Sequence, residues 1–515
     1  MPLIRLTFDA GTLLLESGSV AQSAAEANQS TPLTAQLLAR WFGQGIWVWD
    51  PRVSKWRTDA YHYADLHQAI TLLNLPIVDT IRAAQFLDEK ERLADRIHES
   101  SANSLPSLRP EQIQAIQQWE KTGRGIIVMP TGTGKTEVAL AILARRIASH
   151  KTKISGTPDA LSAPNSSSYR SLIVAPVRDL MYQWHRRILR GLKIDAGILG
   201  DSHRQIRPVT VTTYASACIH ATELGNAFDL LIFDECHHLT GPIRADAARC
   251  SVAPSRLGLT ATLPEQADTI AQWIGPVRYE LKMEQVRGST LADYDVVRIP
   301  IELNPQERAR YKNLSQQISK YVYERRKTDP EFAWKDLCAE ASKGSEASRI
   351  MRLRREKDAI EDRAEEKLRI VEDLFRLHLG ESMVIFTGSN AMARAVSLRF
   401  LIPCLLSHCG KHERLDYIEG LRDGVYPAIV ANQVLDEGVD LPEVKVAIVL
   451  GGKGSVRQAK QRLGRILRKR GNSRAILYEV VATETKEVNR SRKRRNNDAY
   501  EGTRHRQFRK RTDPS

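Results

Sequence analysis

The stretch IIVMPTGTGKTEVAL (Ile126–Leu140) constrains the fold of this chain more than any other. Its apolar start is typical of a buried strand, and its end has the composition of a helix. Between them, Gly132 and Gly134 permit a tight turn whose backbone N–H groups can face phosphate oxygens. We expect Lys135 to reach the β- and γ-phosphates of a nucleotide and the Thr136 hydroxyl to ligate Mg²⁺.

This loop departs from the general phosphate-loop pattern at one place. Met129 stands where that pattern has its first glycine, but the context of strand, glycine-rich turn and helix is kept. A helix that begins at the loop adds its N-terminal dipole to the attraction for phosphate. We therefore count Thr131 and Thr133, beside the two glycines, among the nucleotide contacts.

Apolar strands alternate with helical stretches in two parts of the chain, which predicts βαβ units and parallel sheets. The strands are GIIVMP, SLIVAP, VTVTTY, LLIFDE and RLGLTAT in the first part, and SMVIFTG, PAIVANQ, VKVAIVLGG and RAILYEVV in the second. The predicted regions are a small N-terminal α/β domain (1–95), a first parallel-sheet domain (96–285), a connector with a charged helical arm (286–372), a second parallel-sheet domain (373–485) and a basic disordered tail (486–515).

The segment LLIFDECHH brings two carboxylates to the end of a buried strand. In a nucleotide site Asp234 would hold Mg²⁺ and Glu235 would polarise the attacking water. Zinc is the alternative, but it needs further ligands, and no HxxxH or CxxC pattern lies nearby. We expect His237 and His238 to contact the γ-phosphate region or a neighbouring domain.

A basic helical pattern, KQRLGRILRKR, follows in the second parallel-sheet domain. Arg465 and Arg468 are three residues apart and share one helical face. Arginines of this kind can stabilise charge on a phosphate during its transfer.

The charge of the chain indicates a polyanionic partner. The formal net charge is +15 and the pI is about 9.5, as in proteins that bind nucleic acid or anionic membranes, although a basic enzyme without such a partner is the alternative. No apolar run reaches the ~20 residues that span a bilayer, and no secretory signal is visible. The six cysteines form no CxxC pair, so we expect a cytoplasmic protein.

The N-terminal region concentrates aromatic and basic residues. Strand alternation places Trp47 and Trp49 on one face, which we expect to point inward. Arg52, Trp56 and Arg57 are then the better candidates for contacting DNA. The charged helical arm has two open interpretations, a solvated face with salt bridges or a basic surface for nucleic acid.

Taken together, the motifs resemble those of superfamily 2 helicases, and within them the XPB/Rad25-like branch. The matching segments are LRPEQIQAI (108–116, adenine side), PTGTGKT (130–136, motif I), VAPVRDLMYQW (174–184, Ia), VTVTTYASA (209–217, Ib), DECHH (234–238, II), LTAT (259–262, III), VIFTGS (384–389, IV), QVLDEGVDLPEV (433–444, V) and QRLGRILR (461–468, VI). The N-terminal segments TFDAGTLLLE and WDPR…WRTDAYHYADL are similar to the small DNA-recognition domain of archaeal and bacterial members.

The resemblance implies two RecA-like domains with ATP and Mg²⁺ bound between them, and ATP-driven motion on DNA in repair. It assigns residues to the adenine side (Arg109, Gln112), to the nucleotide from the second domain (Gly438, Asp440), to the tracked strand (Arg178, Thr212, Thr387) and to coupling (Thr260, Thr262). The helical arm would be a thumb. A partner nuclease and a monomeric free state are further expectations from the resemblance.

One departure from the family bears on mechanism. XPB-like proteins often carry Arg-Glu-Asp shortly after motif III, as a wedge for strand separation, whereas this chain has Glu265, Gln266 and Ala267. We therefore expect translocation on duplex DNA to outweigh unwinding. The alternatives are a duplex translocase of a phage-defence or restriction system, an RNA helicase, and a DNA-binding scaffold without ATPase activity. The last two are disfavoured by the absence of a DEAD sequence and by the intact motif residues.

Overall fold

The computed structural model divides into two compact units, Met1–Pro130 with Gly134–Leu281, and Thr131–Thr133 with Lys282–Ser515. The residues that the structure describes are 3–18, 34–75, 77–81, 107–155, 169–264, 266–286, 294–341, 345–406, 408–432, 444–451, 475–495 and 505–507. Among them, no helix combines the length and the apolar character needed to cross a membrane.

The first unit begins with a small, mostly antiparallel sheet in the order β3-β4-β2-β1-β5. Its elements are β1 (Leu3–Asp9), β2 (Thr12–Gly18), α1 (Ala35–Phe42), β3 (Val48–Asp50), β4 (Lys55–Asp59), α2 (Tyr63–Leu72) and β5 (Ile77–Asp79). The two-residue turn between β1 and β2 has positive φ at both Ala10 and Gly11, as tight hairpins require. Ile4 and Leu6 alternate along β1 and are buried, so one face of the sheet forms the core.

The aromatic residues of this small domain differ in part from the prediction. Trp47 is buried in the core as expected, but Trp49 is 48% exposed. Trp47 lies just before β3, and β3 is a three-residue edge strand, so the alternation does not extend across both tryptophans. Trp56 is partly buried and packs edge-to-face on Trp49, with ring centroids 5.4 Å apart.

The small domain is fixed to the first parallel-sheet domain by polar contacts. The Arg249 guanidinium donates to the Asp59 carboxylate at 2.7 and 3.1 Å, and the Asn226 amide donates to the Ile81 carbonyl at 3.0 Å. Val252 belongs to the small domain's own hydrophobic core. The two domains therefore form one packed unit.

The first parallel-sheet domain has the strand order β13-β6-β12-β11-β7-β10-β8-β9, with only β9 antiparallel. Its elements are α3 (Pro110–Glu120), β6 (Arg124–Val128), α4 (Lys135–Ser155), β7 (Ser171–Ala175), α5 (Arg178–Leu192), β8 (Gly197–Gly200), β9 (His203–Arg204), β10 (Val209–Thr213), α6 (Tyr214–Ile219), α7 (Ala221–Leu224), β11 (Leu230–Phe233), α8 (Pro242–Arg249), β12 (Ser255–Thr260), α9 (Ala267–Ile274) and β13 (Val277–Glu280). All four residues of β11 are buried, as in strands covered on both faces. The adjacent strands β6, β12 and β11 end at the same edge, so their following loops meet there.

The second unit contains a parallel sheet in the order β16-β17-β15-β18-β19-β14-β20. Its elements are α10 (Met283–Val286), β14 (Tyr294–Ile301), α11 (Pro305–Thr328), α12 (Trp334–Glu340), α13 (Ser345–Asp362), α14 (Glu365–Leu377), β15 (Met383–Thr387), α15 (Asn390–Phe400), β16 (Cys404–Leu405), α16 (Lys411–Arg422), β17 (Ala428–Asn432), β18 (Val446–Val449), β19 (Ala475–Ala482), α17 (Lys486–Arg495) and β20 (His505–Gln507). Together with the first sheet, this gives the predicted α/β class with two RecA-like parallel-sheet domains, a small N-terminal domain and a charged helical insertion.

Two predicted boundaries are corrected in this unit. The sheet begins before residue 373, because β14 pairs in parallel with β19 from Tyr294 to Ile301. The predicted disordered tail begins instead with the helix α17, whose Glu487 and Ser491 are buried. The sequence of α17 has few apolar residues, so its packing depends on buried polar contacts that a hydrophobic pattern does not predict.

The helical arm is laced with ion pairs, as one interpretation of its charge pattern predicts. Asn304 caps α11 in a reciprocal capping box with Glu307. Arg310 of α11 bonds Glu356 of α13 at 2.6 and 2.8 Å. The two long helices α11 and α13 therefore pack side by side.

Candidate active site

The glycine-rich loop between β6 and α4 has the backbone geometry that the sequence predicts. Gly132 and Gly134 have φ values of +87° and +84°, in the left-handed region that favours glycine. A Cβ atom on Gly134 would lie 2.2 Å from Nε2 of Gln112, with an Arg109 guanidinium nitrogen 3.1 Å away. The Gln112 amide donates to the Gly134 carbonyl at 3.3 Å. The predicted adenine-side pair thus lies against the predicted phosphate loop.

Gln112 is held in place by its own helix start. Its Oε1 accepts the Arg109 backbone N–H at 2.8 Å, which closes a capping contact at the start of α3. Thr131 and Thr133 flank Gly132 in the loop, and Thr133 is fully buried.

Lys135, the first residue of α4, and Glu235, which follows β11, approach each other. The Lys135 Nζ donates to the Met129 carbonyl at 3.1 Å and lies 4.0 Å from Oε1 of Glu235. Both side chains are nearly buried, with exposures of 10% and 13%. The pair joins motif I to motif II.

Asp234 is the most deeply buried carboxylate of this edge. It accepts the Trp184 indole N–H at 2.9 Å and the Glu235 backbone N–H at 3.0 Å. Burial raises the pKa of Asp234, while the hydrogen bond from Trp184 and the charge of Lys135 lower it in part. The Asp234 carboxylate, which follows β11, and the hydroxyl of Thr136, in the first turn of α4, are oxygen ligands of the kind that Mg²⁺ prefers. These residues therefore fit the predicted magnesium ion.

A histidine continues the contacts from motif II to motif III. Glu235 has a left-handed φ of +48°, and a short 3₁₀ turn follows it. His237 Nδ1 lies 3.3 Å from Oε2 of Glu235 and 3.0 Å from Oγ1 of Thr260, the last residue of β12. The Thr260 hydroxyl donates to the Thr262 carbonyl at 2.8 Å. A continuous polar path therefore runs from Lys135 to the two threonines that the resemblance assigns to coupling.

This path adds contacts that the expectation for the two histidines did not include. His237 is buried against Thr260, and His238 lies 2.7 Å from the Arg244 guanidinium. Contact of either histidine with the γ-phosphate region or a neighbouring domain stays a prediction. Sequence reasoning missed the His237–Thr260 contact because 23 residues separate the two. Its sequence signal was the first histidine directly after Asp-Glu-Cys.

The predicted nucleic-acid residues divide into exposed and buried ones. Arg178, at the start of α5, is 71% exposed and bonds Asp201 at 2.8 Å. Thr212 is fully buried and donates to the Leu199 carbonyl at 2.7 Å, and Thr387 is fully buried and donates to the Ser389 carbonyl at 3.1 Å. Neither threonine hydroxyl is presented at the surface, because each lies within a strand covered on both faces.

The two N-terminal arginines share one carboxylate. Arg52 bonds Asp50 through two 2.9 Å contacts and is 81% exposed. Arg57 bonds Asp50 at 2.8 Å and Asp9 at 2.9 Å and is 22% exposed. Arg57 therefore braces its own sheet, and Arg52 is the more accessible of the two. Gly438, Asp440, Arg465 and Arg468 lie outside the described residues.

Three family descriptions match successive parts of the chain. Residues 6–81 match the xeroderma pigmentosum group B helicase damage recognition domain. Residues 105–265 match the type III restriction enzyme res subunit, and residues 345–506 match the ERCC3/RAD25/XPB C-terminal helicase. Two of the three descriptions are specific to XPB.

Individual relatives agree with these matches. The DNA 3′-5′ translocase XPB2 of Sulfurisphaera tokodaii is 36% identical over 412 residues, which are 78% of this chain and 89% of the relative. The DNA 3′-5′ helicase XPB of Kineococcus radiotolerans is 27% identical over 440 residues, covering 82% of this chain and 67% of the relative. The crystal structure of the Pyrococcus furiosus Hef helicase domain superposes with a TM-score of 0.51 at 17% identity, covering 76% of this chain and all of that domain, and supports the fold. By the motif order, the matched domains and the extent of the first relative, this chain belongs to the XPB family of superfamily 2 DNA helicases and translocases.

Proposed function

We propose that this chain hydrolyses ATP to move along DNA in the 3′-to-5′ direction. The observation that carries the proposal is the group formed by Lys135, Asp234 and Glu235, with His237 as its link to Thr260. The direction follows that in the names of both relatives, since nothing in the sequence alone indicates it.

The residues of the first unit divide the work of phosphoryl transfer. Lys135 and the loop N–H groups stabilise negative charge on the phosphate oxygens, and Glu235 orients and polarises the attacking water. Mg²⁺, held by Thr136 and Asp234, would neutralise charge between the β- and γ-phosphates. Trp184 fixes Asp234 so that little reorganisation is needed when these groups act.

His237 carries the state of the site to motif III. Hydrolysis alters the position or charge of the Glu235 carboxylate, which faces His237. The His237 ring then shifts its contact with Thr260, which lies 3.0 Å away. Thr260 and Thr262 are thereby the coupling residues of the proposal.

We propose translocation on duplex DNA as the main activity, ahead of strand separation. Glu265, Gln266 and Ala267 do not supply the Arg-Glu-Asp wedge of related proteins, and one relative is named a translocase. Arg178 and Arg52, both exposed, are the proposed DNA contacts among the predicted residues.

DNA repair is the proposed setting, because the N-terminal match is to a damage recognition domain. The match to a restriction-enzyme subunit covers the first parallel-sheet domain alone, and therefore favours a defence role less. A partner nuclease and a monomeric free state remain proposals from the family resemblance.

Glu235→Gln tests the catalytic assignment. The variant should retain ATP and DNA binding but lose at least ~10³-fold in turnover, because the water loses its polarising carboxylate. Glu223→Gln is the matched control, since Glu223 is an exposed carboxylate paired with Arg204 in the same unit. Turnover of Glu235→Gln at the parental rate would refute the motif II assignment.

A panel of nucleic acids tests the substrate. ATP turnover should rise with duplex and forked DNA relative to no nucleic acid, and RNA should stimulate least. Equal or stronger stimulation by RNA would contradict a DNA translocase.

A further inference from the structure

The C-terminal helix α17 is fixed to the second parallel-sheet domain by buried charged groups. Glu487 accepts from the Lys367 Nζ at 3.0 Å, and both side chains are almost fully buried. Arg490 pairs with Glu361, and Ser491 donates to Glu479 at 2.7 Å. These inward positions are three and four residues apart, so they define one face of the helix.

The opposite side of α17 borders a groove. Its other wall is the first half of α11, and its volume is about 370 Å³. The polar side chains that line it are Lys312, Ser315 and Gln316 from α11, Glu484 and Thr485 just before α17, and Lys486 and Asn489 from α17. The ring of Tyr311 also lines the groove.

The groove carries net positive charge. Lys312 and Lys486 are exposed, and neither forms an ion pair with another residue in the described part of the chain. The groove's carboxylate, Glu484, lies 3.8 Å from the Arg308 guanidinium. The one acid of α17, Glu487, faces inward and pairs with Lys367.

The recognition chemistry comes from side chains and not from the start of the helix. The Lys486 backbone N–H already donates to the Tyr311 hydroxyl at 3.1 Å, and the Glu487 N–H donates to Thr485 Oγ1 at 3.1 Å. What faces the groove is therefore two ammonium groups together with amide and hydroxyl donors. This combination suits phosphodiester oxygens spaced along a backbone.

We propose that the groove between α11 and α17 binds the sugar–phosphate backbone of DNA, as a contact separate from the helicase motifs. The proposal rests on the proposed function, because it takes DNA as the polyanion. It gives the helix α17 a role in DNA binding, where the sequence predicted the start of a disordered basic tail.

Lys312→Ala/Lys486→Ala tests the groove in the full chain. Equilibrium binding of a fluorescent duplex is measured over a range of salt concentrations. Each lost phosphate contact lowers the slope of log K against log salt by about 0.9 on duplex DNA, so the double variant should lose about 1.8. The control is Lys121→Ala/Lys445→Ala, which removes two charges next to the amino-terminal ends of β6 and β18. The control should keep the parental slope.

Asn489→Asp provides a second variant with unchanged side-chain volume. A carboxylate in the groove should weaken duplex binding at low salt. The melting temperature of the variant should equal that of the parental protein. Parental slopes in the double variant, or parental affinity in Asn489→Asp, would overturn the groove assignment. ATP turnover of the parental protein is measured with the same duplex. If the duplex stimulates that turnover, a negative result with the variants contradicts the groove assignment alone. Absence of stimulation in the parental protein would instead refute the proposed function.

Discussion

Thr260→Val should uncouple ATP hydrolysis from motion. The substitution keeps the size and branching of the side chain but removes the hydroxyl. That hydroxyl contacts His237 Nδ1 at 3.0 Å, donates to the Thr262 carbonyl at 2.8 Å and accepts the Thr262 N–H at 3.3 Å. Lys135, Asp234 and Glu235 keep their own contacts, so the hydrolytic group stays intact. The loss of Oγ1 of Thr260 therefore interrupts the polar contacts between Glu235 and Thr262.

The magnitude follows from the two shorter of these hydrogen bonds, to His237 and to the Thr262 carbonyl. Each hydrogen bond contributes about 1 kcal/mol net. The arrangement in which Thr260 contacts both His237 and Thr262 should therefore lose about 2 kcal/mol relative to arrangements without these contacts. This corresponds to about a 30-fold drop in the linked population. ATP turnover on saturating duplex should fall less than about threefold, since charge stabilisation at the phosphate supplies most of that rate.

The assay compares two rates in the same solution, ATP turnover and displacement of a third strand from a DNA triplex. The ratio of displacement to turnover should fall at least tenfold in Thr260→Val. Thr210→Val is the matched control, because the buried Thr210 hydroxyl is also hydrogen-bonded on both sides. It accepts the Arg207 N–H at 2.9 Å and donates to the Arg207 carbonyl at 2.7 Å. The reasoning fails if both rates fall in parallel, or if the ratio matches that of the control.

Gly134→Ala should abolish ATP binding in a titration with a fluorescent nucleotide, because its Cβ would lie 2.2 Å from Nε2 of Gln112. The control Gly380→Ala has a similar φ of +86° but open space around the Cβ, so it should cost only about 1–2 kcal/mol of stability. Equal nucleotide affinity in the two variants would contradict the loop geometry. Lys367→Met should destabilise the second unit by about 3–5 kcal/mol, because it leaves Glu487 buried without its partner. Combining it with Glu487→Leu should recover most of that loss in urea denaturation, and an additive loss would show that the pair is not coupled.

Much of the site could be predicted from the sequence, since its residues follow buried strands at recognisable spacings. Lys135, Asp234 and Glu235 each come after a buried strand, and because parallel strands end on the same side of a sheet, Lys135 and Glu235 lie 4.0 Å apart. The surface assignments were weaker. Thr212 and Thr387 occupy motif positions, but their hydroxyls donate to the backbone carbonyls of Leu199 and Ser389. Both residues belong to strands that are covered on both faces, so their side chains are not exposed to solvent.

Sequence by itself determined the fold class and indicated the residues of the proposed phosphate site, because both depend on local patterns: apolar strands, a glycine-rich turn and carboxylates at a strand end. Tertiary structure alone decided which polar groups meet across long separations. Lys367 and Glu487 are 120 residues apart, and their burial turns a highly charged segment into a packed helix. No local pattern distinguishes such a helix from a solvated tail, because the desolvation of its charges is offset only by partners that the fold brings to it.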